Sequence, residues 1–238
     1  MAIATNTYKR LRGHGLTVLE RHQHTSGYLA VVLSGGYEEA GDRGRFRVQA
    51  GDVVCHEAFE AHLNRYDMAG AELIVLPVSI TAEFPDPVWA VRDADAIARL
   101  AEKDAREAAA QVVETMVSVR RNVQDWPHTL AEAIRGDLHL RLDVWASEHR
   151  LADATVSRGF GKVFGISPKA YRAKQRARMA LRLALHADHA LTDVAISTGF
   201  SDQAHMTRAV HTMTGRTPGA WRSHVNWIQD GRYGQVAW

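Results

Sequence analysis

The chain has 238 residues, of which 46% are hydrophobic and 24% are charged. That length suits one large domain or two ordinary ones, and the hydrophobic content is sufficient for packed cores. No apolar run reaches the roughly eighteen residues of a membrane span, and residues 1–11 lack the pattern of a signal peptide. The single cysteine, Cys55, excludes an intramolecular disulfide and favours a cytoplasmic location without a membrane partner.

The net charge of +2 is divided unequally along the chain. Residues 124–238 carry a net charge of +5, and residues 1–123 carry −3. Phosphate binding needs such a basic half, because each Lys or Arg at the phosphates releases counterions. The bias is modest and would not by itself identify a DNA-binding protein.

The first third of the chain is predicted to be rich in β-strands. Glycine-containing turns separate short apolar runs, which predicts a sandwich or small barrel over residues 1–84. The strand-like runs are 17–19, 28–33, 44–48, 52–55 and 71–76.

Residues 85–122 are predicted to form a helical connector. Asp93 or Asp95 can cap a helix that begins near Ala94, and apolar residues keep near-helical spacing from there to Arg121. A break near Asp104 would give an antiparallel pair of helices. Two interpretations of its apolar stripe stay open: it packs against the barrel, or it forms a homodimer interface.

Residues 191–222 have the pattern of two short helices joined by a tight turn. A helix from about Leu191 to Thr198 would end at Gly199, where a positive φ is expected, and Phe200 would enter the core. Ser201 or Asp202 would cap a second helix with an exposed polar face. Two helices at a steep angle, the second one exposed, fit the major groove of DNA.

The same pattern occurs fifty residues earlier in the chain. The segment 165–172, GISPKAYR, matches 215–222, GRTPGAWR, at that offset. An internal repeat of this period indicates two copies of one supersecondary unit. The first copy has Arg150 where the turn glycine would lie, and Gly159 should weaken its second helix by roughly 1 kcal/mol. We expect Asp153 to cap that helix.

Residues 124–222, with these two units, resemble the DNA-binding domain of the AraC/XylS family of bacterial transcription regulators. The resemblance implies a double helix-turn-helix domain over 123–224, followed by a tail, 225–238. It implies double-stranded DNA as a partner, with RNA polymerase as a further candidate. The positions that match base-facing residues of the family are Ala154, Ser157, Arg158, Gln203, Ala204, His205, Thr207 and Arg208, and Lys162 matches a phosphate contact.

Arg208 is the strongest candidate for a base contact, because arginine can donate two hydrogen bonds to guanine. The alternative is a salt bridge within the domain. Ser167-Pro168 should begin a long helix that ends near His186 and holds the two units together. Most arginines on that helix are expected to form a solvated face, with some of them close to phosphates.

The pair His22 and His24, followed by Gly51-Asp52 and His62, resembles the two signature segments of a cupin barrel, a usual sensory domain in this regulator family. That resemblance implies one divalent transition metal, such as zinc, on these three histidines. The usual cupin glutamate is replaced by Tyr28 or Leu29. Further candidate ligands are Cys55, His56 and Glu60. The alternative is that the histidines line a pocket without metal.

Together these features predict an α+β multidomain protein with a cupin-like β-barrel, a helical connector and an all-α double helix-turn-helix domain. We expect a DNA-binding transcription regulator, not an enzyme, whose barrel senses a small molecule or a metal ion. One alternative is a metal-dependent cupin enzyme fused to a DNA-binding domain, although only Glu57 and Glu60 are evident as acids or bases there. The other is a constitutive DNA binder with a purely dimerising barrel.

Overall fold

The computed structural model describes residues 8–186 and 189–229, and the chain forms two compact units. Unit 1 ends at His128, and unit 2 begins at Thr129. The connector, residues 85–122, therefore lies within unit 1. Residues 230–238 of the predicted tail lie outside the described residues.

Unit 1 is built on an antiparallel sheet that has eight strands among the described residues. The strands are β1 (Lys9–Gly13), β2 (Val18–Gln23), β3 (Tyr28–Gly41), β4 (Gly44–Gln49), β5 (Asp52–His56), β6 (Ala61–Pro77), β7 (Val88–Ala90) and β8 (Val117–Ser118). The five predicted runs overlap β2 to β6. The sequence contains no clear signal for β1, β7 and β8, and the predicted runs are shorter than the observed β3 and β6.

Strands β3 and β6 are long because each of them bends at a glycine instead of ending there. Gly35 and Gly70 both have a φ of +68°, and the pairing register shifts next to Gly35. A Cβ atom at Gly35 would lie 1.9 Å from the carbonyl oxygen of Gly70. Glycine is required here both by the left-handed backbone and by this close approach.

The predicted barrel is not closed. Along the described strands the order is β1-β6-β3-β5-β7-β8, with β2 also paired to β6 and β4 also paired to β3. The sheet therefore begins at β1 and ends at β8 and is open. The expectation of a cupin-like barrel is corrected to an open, strongly bent sheet with cupin-like histidine positions.

Two helices, α1 (Ala94–Ala101) and α2 (Ala105–Thr115), cover one face of this sheet. Asp93, one of the two predicted candidates, caps α1, and Asp104 caps α2 at the predicted break between the helices. The helix was expected to reach Arg121, but it ends at Thr115, and the chain returns to the sheet as β8. The apolar stripe of these helices is buried against the sheet, so the packing interpretation accounts for it.

Alternation along the strands divides the interior of unit 1 into two cores. Leu29 and Cys55 face the helices, whereas Ala30 and Val54 belong to the core on the other face. A residue one position along a strand points to the opposite face, which places His56 on the same side as Val54. The polar site described below lies on this second side.

Unit 2 is helical. Its helices, the first of which begins just before the unit boundary, are α3 (Trp126–Gly136), α4 (Leu142–Glu148), α5 (Asp153–Phe164), α6 (Pro168–His186), α7 (Leu191–Ser197), α8 (Gln203–Thr214) and α9 (Pro218–Gln229). The predicted helix-turn-helices are α4–α5 and α7–α8, and α6 has the predicted bounds. Asp202 caps α8, as predicted. Asp153 does not cap α5: it is the first residue of the helix, and Ala152 precedes it without a side-chain cap.

The two turns have nearly the same geometry despite their different residues. Gly199 has a φ of +79°, as expected, and Arg150 has a φ of +55°. The amide of Arg150 donates to Ser147 O and that of Gly199 donates to Ile196 O, both at 3.0 Å. The two copies therefore share the same backbone conformation at the turn, although the first copy lacks the glycine.

Candidate functional site

The exposed faces of α5 and α8 carry the predicted DNA contacts. Within α5 and α8, the exposed candidates are Ala154, Ser157, Arg158, Lys162, Gln203, Ala204, His205 and Arg208, and Thr207 is half-buried. The opposite faces of the two helices are packed inward by Val156, Phe160, Met206 and Val210. A second helix with one face fixed in the core and the other in solvent is the geometry that major-groove binding requires.

His205 is partly engaged within the protein. Its Nδ1 lies 3.1 Å from Ser201 Oγ, and its ring meets Phe200 edge to face at 5.1 Å. Its backbone amide donates to the Asp202 carboxylate at 2.7 Å, and this bond lowers the pKa of Asp202. The imidazole is thus held at the start of α8, which leaves Nε2 as the atom available to a ligand.

Several arginines of the repeat hold the fold of unit 2 together. Arg172 donates to the carbonyl of Leu140, and Arg222 donates to that of His189 at 2.9 Å. These donor–acceptor pairs are equivalent in the two copies. Arg176 donates to Leu138 O at 2.7 Å. The expectation of a solvated face is therefore wrong for Arg172 and Arg176, whose guanidinium groups satisfy carbonyl groups near the end of α3 and before α4.

In unit 1, the three histidines of the cupin-like segments lie together. Strands β2 and β6 pair His22 directly with His62, and the two rings are 4.5 Å apart. The ring of His24 lies 5.3 Å from that of His62. One nitrogen from each of the three rings lies within 4.8 Å of the others. We call this set, His22, His24 and His62, the outer site.

The hydrogen bonds of these rings leave Nε2 atoms for a ligand. His22 Nδ1 lies 2.8 Å from the carbonyl oxygen of Glu20, and His62 Nδ1 lies 2.9 Å from Glu39 Oε2. Both acceptors favour a proton on Nδ1 and therefore a free lone pair on Nε2. Tyr28 Oη lies 3.1 Å from His62 Nε2, where the sequence places it instead of a cupin carboxylate.

A second set of ligand-type residues lies deeper in the same cluster. Glu39, His56 and His62 are all buried, and a donor atom from each lies within 4.8 Å of the others. His56 Nε2 lies 3.6 Å from Glu39 Oε2, and His56 Nδ1 lies 3.5 Å from Glu60 Oε2. We call this set, Glu39, His56 and His62, the inner site. It shares one imidazole with the outer site.

Burial and charge set the protonation of the cluster. Burial lowers the pKa of His56 to about 3 and that of His24 to about 4, so both rings are neutral at pH 7. Burial also lowers the pKa of His62, but the Glu39 carboxylate outweighs it and leaves that pKa raised. Burial raises the pKa of Glu39, but the positive charge on His62 leaves it lowered. Glu39 and His62 thus each favour the charged form of the other, beside two neutral imidazoles.

Cys55 lies apart from this cluster. It belongs to the core against α1 and α2, on the opposite face of β5 from His56. Burial raises the pKa of its thiol to about 12, so it remains protonated. Of the further candidate ligands in the sequence, only His56 and Glu60 reach the histidines.

Comparisons with known proteins concern mainly unit 2. A family model described as a helix-turn-helix domain matches residues 145–224. The HTH-type transcriptional regulator ExsA of Pseudomonas aeruginosa is 32% identical over 78 residues, which cover 33% of this chain and 28% of ExsA. The virulence regulon transcriptional activator VirF of Yersinia enterocolitica is 33% identical over 78 residues, covering 33% of this chain and 29% of VirF. Residues 145–224 form a helix-turn-helix domain of the AraC type.

The AraC-type domain is the part of the chain that these relatives share, and it spans less than a third of their length. Among solved structures, ToxT from Vibrio cholerae is similar with a TM-score of 0.40 and 9% identity, covering 91% of this chain and 97% of ToxT. The DNA-binding domain of AdpA, solved with a target DNA, has a TM-score of 0.41 and 21% identity, covering 47% of this chain and all of that domain. Across 8–186 and 189–229, no helix is both long and apolar enough to cross a membrane.

Sequence reasoning missed Glu39 and the carbonyl-binding arginines of the AraC-type domain. Two consecutive glycines, Gly35 and Gly36, predict a turn, whereas β3 continues through them to Gly41 and includes Glu39. With the strand extended, Tyr37 and Glu39 fall on the same side, and that alternation is a signal that could have indicated an inward carboxylate. The repeat itself marked Arg172 and Arg222, but nothing in the sequence distinguished a carbonyl contact from a phosphate contact.

Proposed function

We propose that this chain is a sequence-specific, DNA-binding transcription regulator. The AraC-type domain would bind double-stranded DNA, and unit 1 would bind an effector that alters this binding. The observation that carries the proposal is the match of residues 145–224 to the helix-turn-helix domain of transcription regulators. The exposed polar faces of α5 and α8 support it.

Two recognition helices held on one rigid element can enter successive turns of the major groove. Helix α6 has 19 residues and, at 1.5 Å per residue, spans roughly 28 Å. Successive major-groove turns lie roughly 34 Å apart. The difference requires some bending of the DNA, so that sequences which bend easily would be favoured even at positions without a base contact.

Arg208 tests the assignment of α8. Arg208→Ala should weaken binding to the preferred sequence by roughly fivefold to 150-fold, because two hydrogen bonds to guanine contribute about 1–3 kcal/mol of discrimination. The measurement is selection of binding sites from a random DNA library, followed by titration of the selected site. Arg106→Ala, on the exposed side of α2, removes the same charge and is the matched control. An unchanged sequence preference in Arg208→Ala would exclude a base contact there.

The histidine cluster of unit 1 is the candidate effector site, and a divalent transition metal fits it. Three imidazoles converge at the outer site, and His24 Nε2 is buried without a hydrogen-bond partner among the described residues. Neutral imidazole is a preferred ligand of zinc and related ions. An effector that binds one arrangement of the chain better than another shifts the population of DNA-binding molecules. These residues are suited to binding an ion, and no catalytic step is assigned to them.

The metal content of tag-free protein tests this effector. Purified wild type should carry up to one equivalent of metal, and a His22→Ala/His62→Ala variant should carry less. DNA affinity measured with and without a chelator then determines whether the ion regulates DNA binding. If wild-type protein neither carries nor takes up zinc, the metal effector is excluded. The remaining interpretations are an organic effector and a purely structural role of unit 1.

A further inference from the structure

We propose that unit 1 contains a second, inner metal site, in which Glu39, His56 and His62 bind one divalent transition metal ion as an alternative to the outer site. This inference goes beyond the proposed DNA-binding function and does not depend on it. It assigns a role to Glu39 and His56, neither of which belongs to the cupin-like histidine set.

The spacing of the inner ligands is already close to that of a metal complex. Tetrahedral ligands at 2.0–2.1 Å from zinc are separated from one another by about 3.3 Å. Glu39 Oε2 lies 2.9 Å from His62 Nδ1 and 3.6 Å from His56 Nε2. An ion among these three atoms therefore needs movements of only a few tenths of an ångström at each of these two pairs.

His56 supplies the decisive observation. Its Nε2 is fully buried and has no hydrogen-bond partner among the described residues. At 3.6 Å the Glu39 oxygen is too distant for a hydrogen bond. On the other side of the ring, His56 Nδ1 lies 3.5 Å from Glu60 Oε2, so the imidazole stands between two carboxylates. A cation between Nε2 and the Glu39 carboxylate would give both buried groups a partner and remove the cost of the unsatisfied Nε2.

The donor set defines the class of ion. Two imidazoles and one carboxylate suit zinc, and the same combination with open positions is the set that holds ferrous iron in non-haem proteins. The carboxylate adds a negative charge that the outer site lacks, so the inner site neutralises more of the charge of a divalent ion. Stacking of Tyr28 on His56, with ring centroids 4.4 Å apart, fixes the plane of that ligand.

The two sites exclude each other while His62 remains neutral. A neutral imidazole has one nitrogen with a free lone pair. His62 Nδ1 faces Glu39 and its Nε2 faces Tyr28, so one tautomer serves the inner site and the other serves the outer site. The proposal therefore predicts one ion per chain and two sets of residues that can hold it.

Zinc binding by the full-length chain, freed of metal with a chelator, tests the inner site. Affinity is measured by competition with a chromophoric zinc chelator, starting from His22→Ala/His24→Ala, which lacks the outer site. This variant should still bind one equivalent of zinc. Adding Glu39→Gln or His56→Phe should weaken binding by more than the roughly tenfold to hundredfold typical of residues that only support a ligand. His56→Phe keeps the ring that stacks on Tyr28.

Glu38→Gln in the same background is the matched control. Glu38 is the neighbouring buried carboxylate of β3, but it pairs with Arg45 on the other face of the strand, so zinc affinity should be unchanged. Far-UV circular dichroism verifies folding. If the Glu39 variant does not fold, zinc X-ray absorption of His22→Ala/His24→Ala should show two imidazoles and oxygen. Loss of zinc binding in folded His22→Ala/His24→Ala, unchanged affinity in His56→Phe, or a single imidazole on the zinc would each overturn the inner site.

Discussion

Arg150 should limit the stability of the AraC-type domain, and its replacement by glycine should raise it. Arg150 has a φ of +55° at the turn where the second copy has Gly199. A left-handed conformation costs a residue with a Cβ about 1–2 kcal/mol. Glycine removes this cost but loses about 0.5–1 kcal/mol through its greater freedom in the unfolded chain. Arg150→Gly should therefore increase the free energy of unfolding by about 0.5–1 kcal/mol.

The second copy supplies the reverse experiment. Gly199→Ala places a Cβ at a φ of +79°, 3.0–3.2 Å from atoms of the Arg176 guanidinium. That guanidinium donates to Leu138 O, so displacing it weakens these hydrogen bonds as well. The conformational cost and the disturbed contact together should lower the free energy of unfolding by about 1–2 kcal/mol.

Urea unfolding of the full-length chain, followed by the helical circular dichroism signal, measures both changes. Arg150→Ala separates the backbone from the guanidinium, because it keeps the Cβ and the positive φ but removes the charge; it should leave the transition near that of the wild type. If Arg150→Gly unfolds at lower urea than wild type, or Arg150→Ala is as stable as Arg150→Gly, the backbone argument is refuted.

Three further substitutions test contacts described above. Arg222→Met removes the donors to Ala184 O and His189 O and should cost about 2 kcal/mol in urea unfolding, since hydrogen bonds from charged groups contribute about 1.5–3 kcal/mol. Asp104→Ala removes the cap of α2 and should cost about 1 kcal/mol, with Asp95→Ala, inside α1, as a control that should cost less. Gly70→Ala would place a Cβ 2.2 Å from Gly13 O and should lower the melting temperature far more than Gly51→Ala, whose Cβ would be 3.6 Å from its nearest neighbour. Equal effects within either pair would contradict the corresponding contact.

The helices of unit 2 could be predicted from the sequence because their determinants are local. Gly199 and Asp202 lie within a few residues of the turn they shape, and the repeat supplied a second example of the same pattern. The exception is Asp153, where a residue suited to capping occupies the first position of α5 instead of the cap. Composition and spacing do not determine the first residue of a helix to within one position.

Unit 1 was less predictable because its sheet depends on distant partners. Strand β1 exists because it pairs with the second half of β6, 58 to 66 residues away along the chain. Its own sequence is exposed and basic. The continuation of β3 beyond Gly35 likewise depends on β4 and β6. The outer histidines could be found from their spacing, whereas Glu39 entered the site only through that continuation. A barrel is predicted both from the short, closely spaced strands and from the cupin resemblance, and the pairing of the strands does not support its closure.

Arg172 and Arg222 occupy equivalent positions in the duplicated segment, and both bind carbonyl groups. In each copy, the arginine at the end of this motif donates to a carbonyl group in the segment before the first helix of that copy. The predicted base-facing side chains lie elsewhere, on the outward faces of α5 and α8. Under the proposed DNA-binding function, mutations there would change which DNA sequences are bound while the architecture is retained, so the two copies could diverge independently. Exchange of outward residues between the copies would then give variants with new DNA targets.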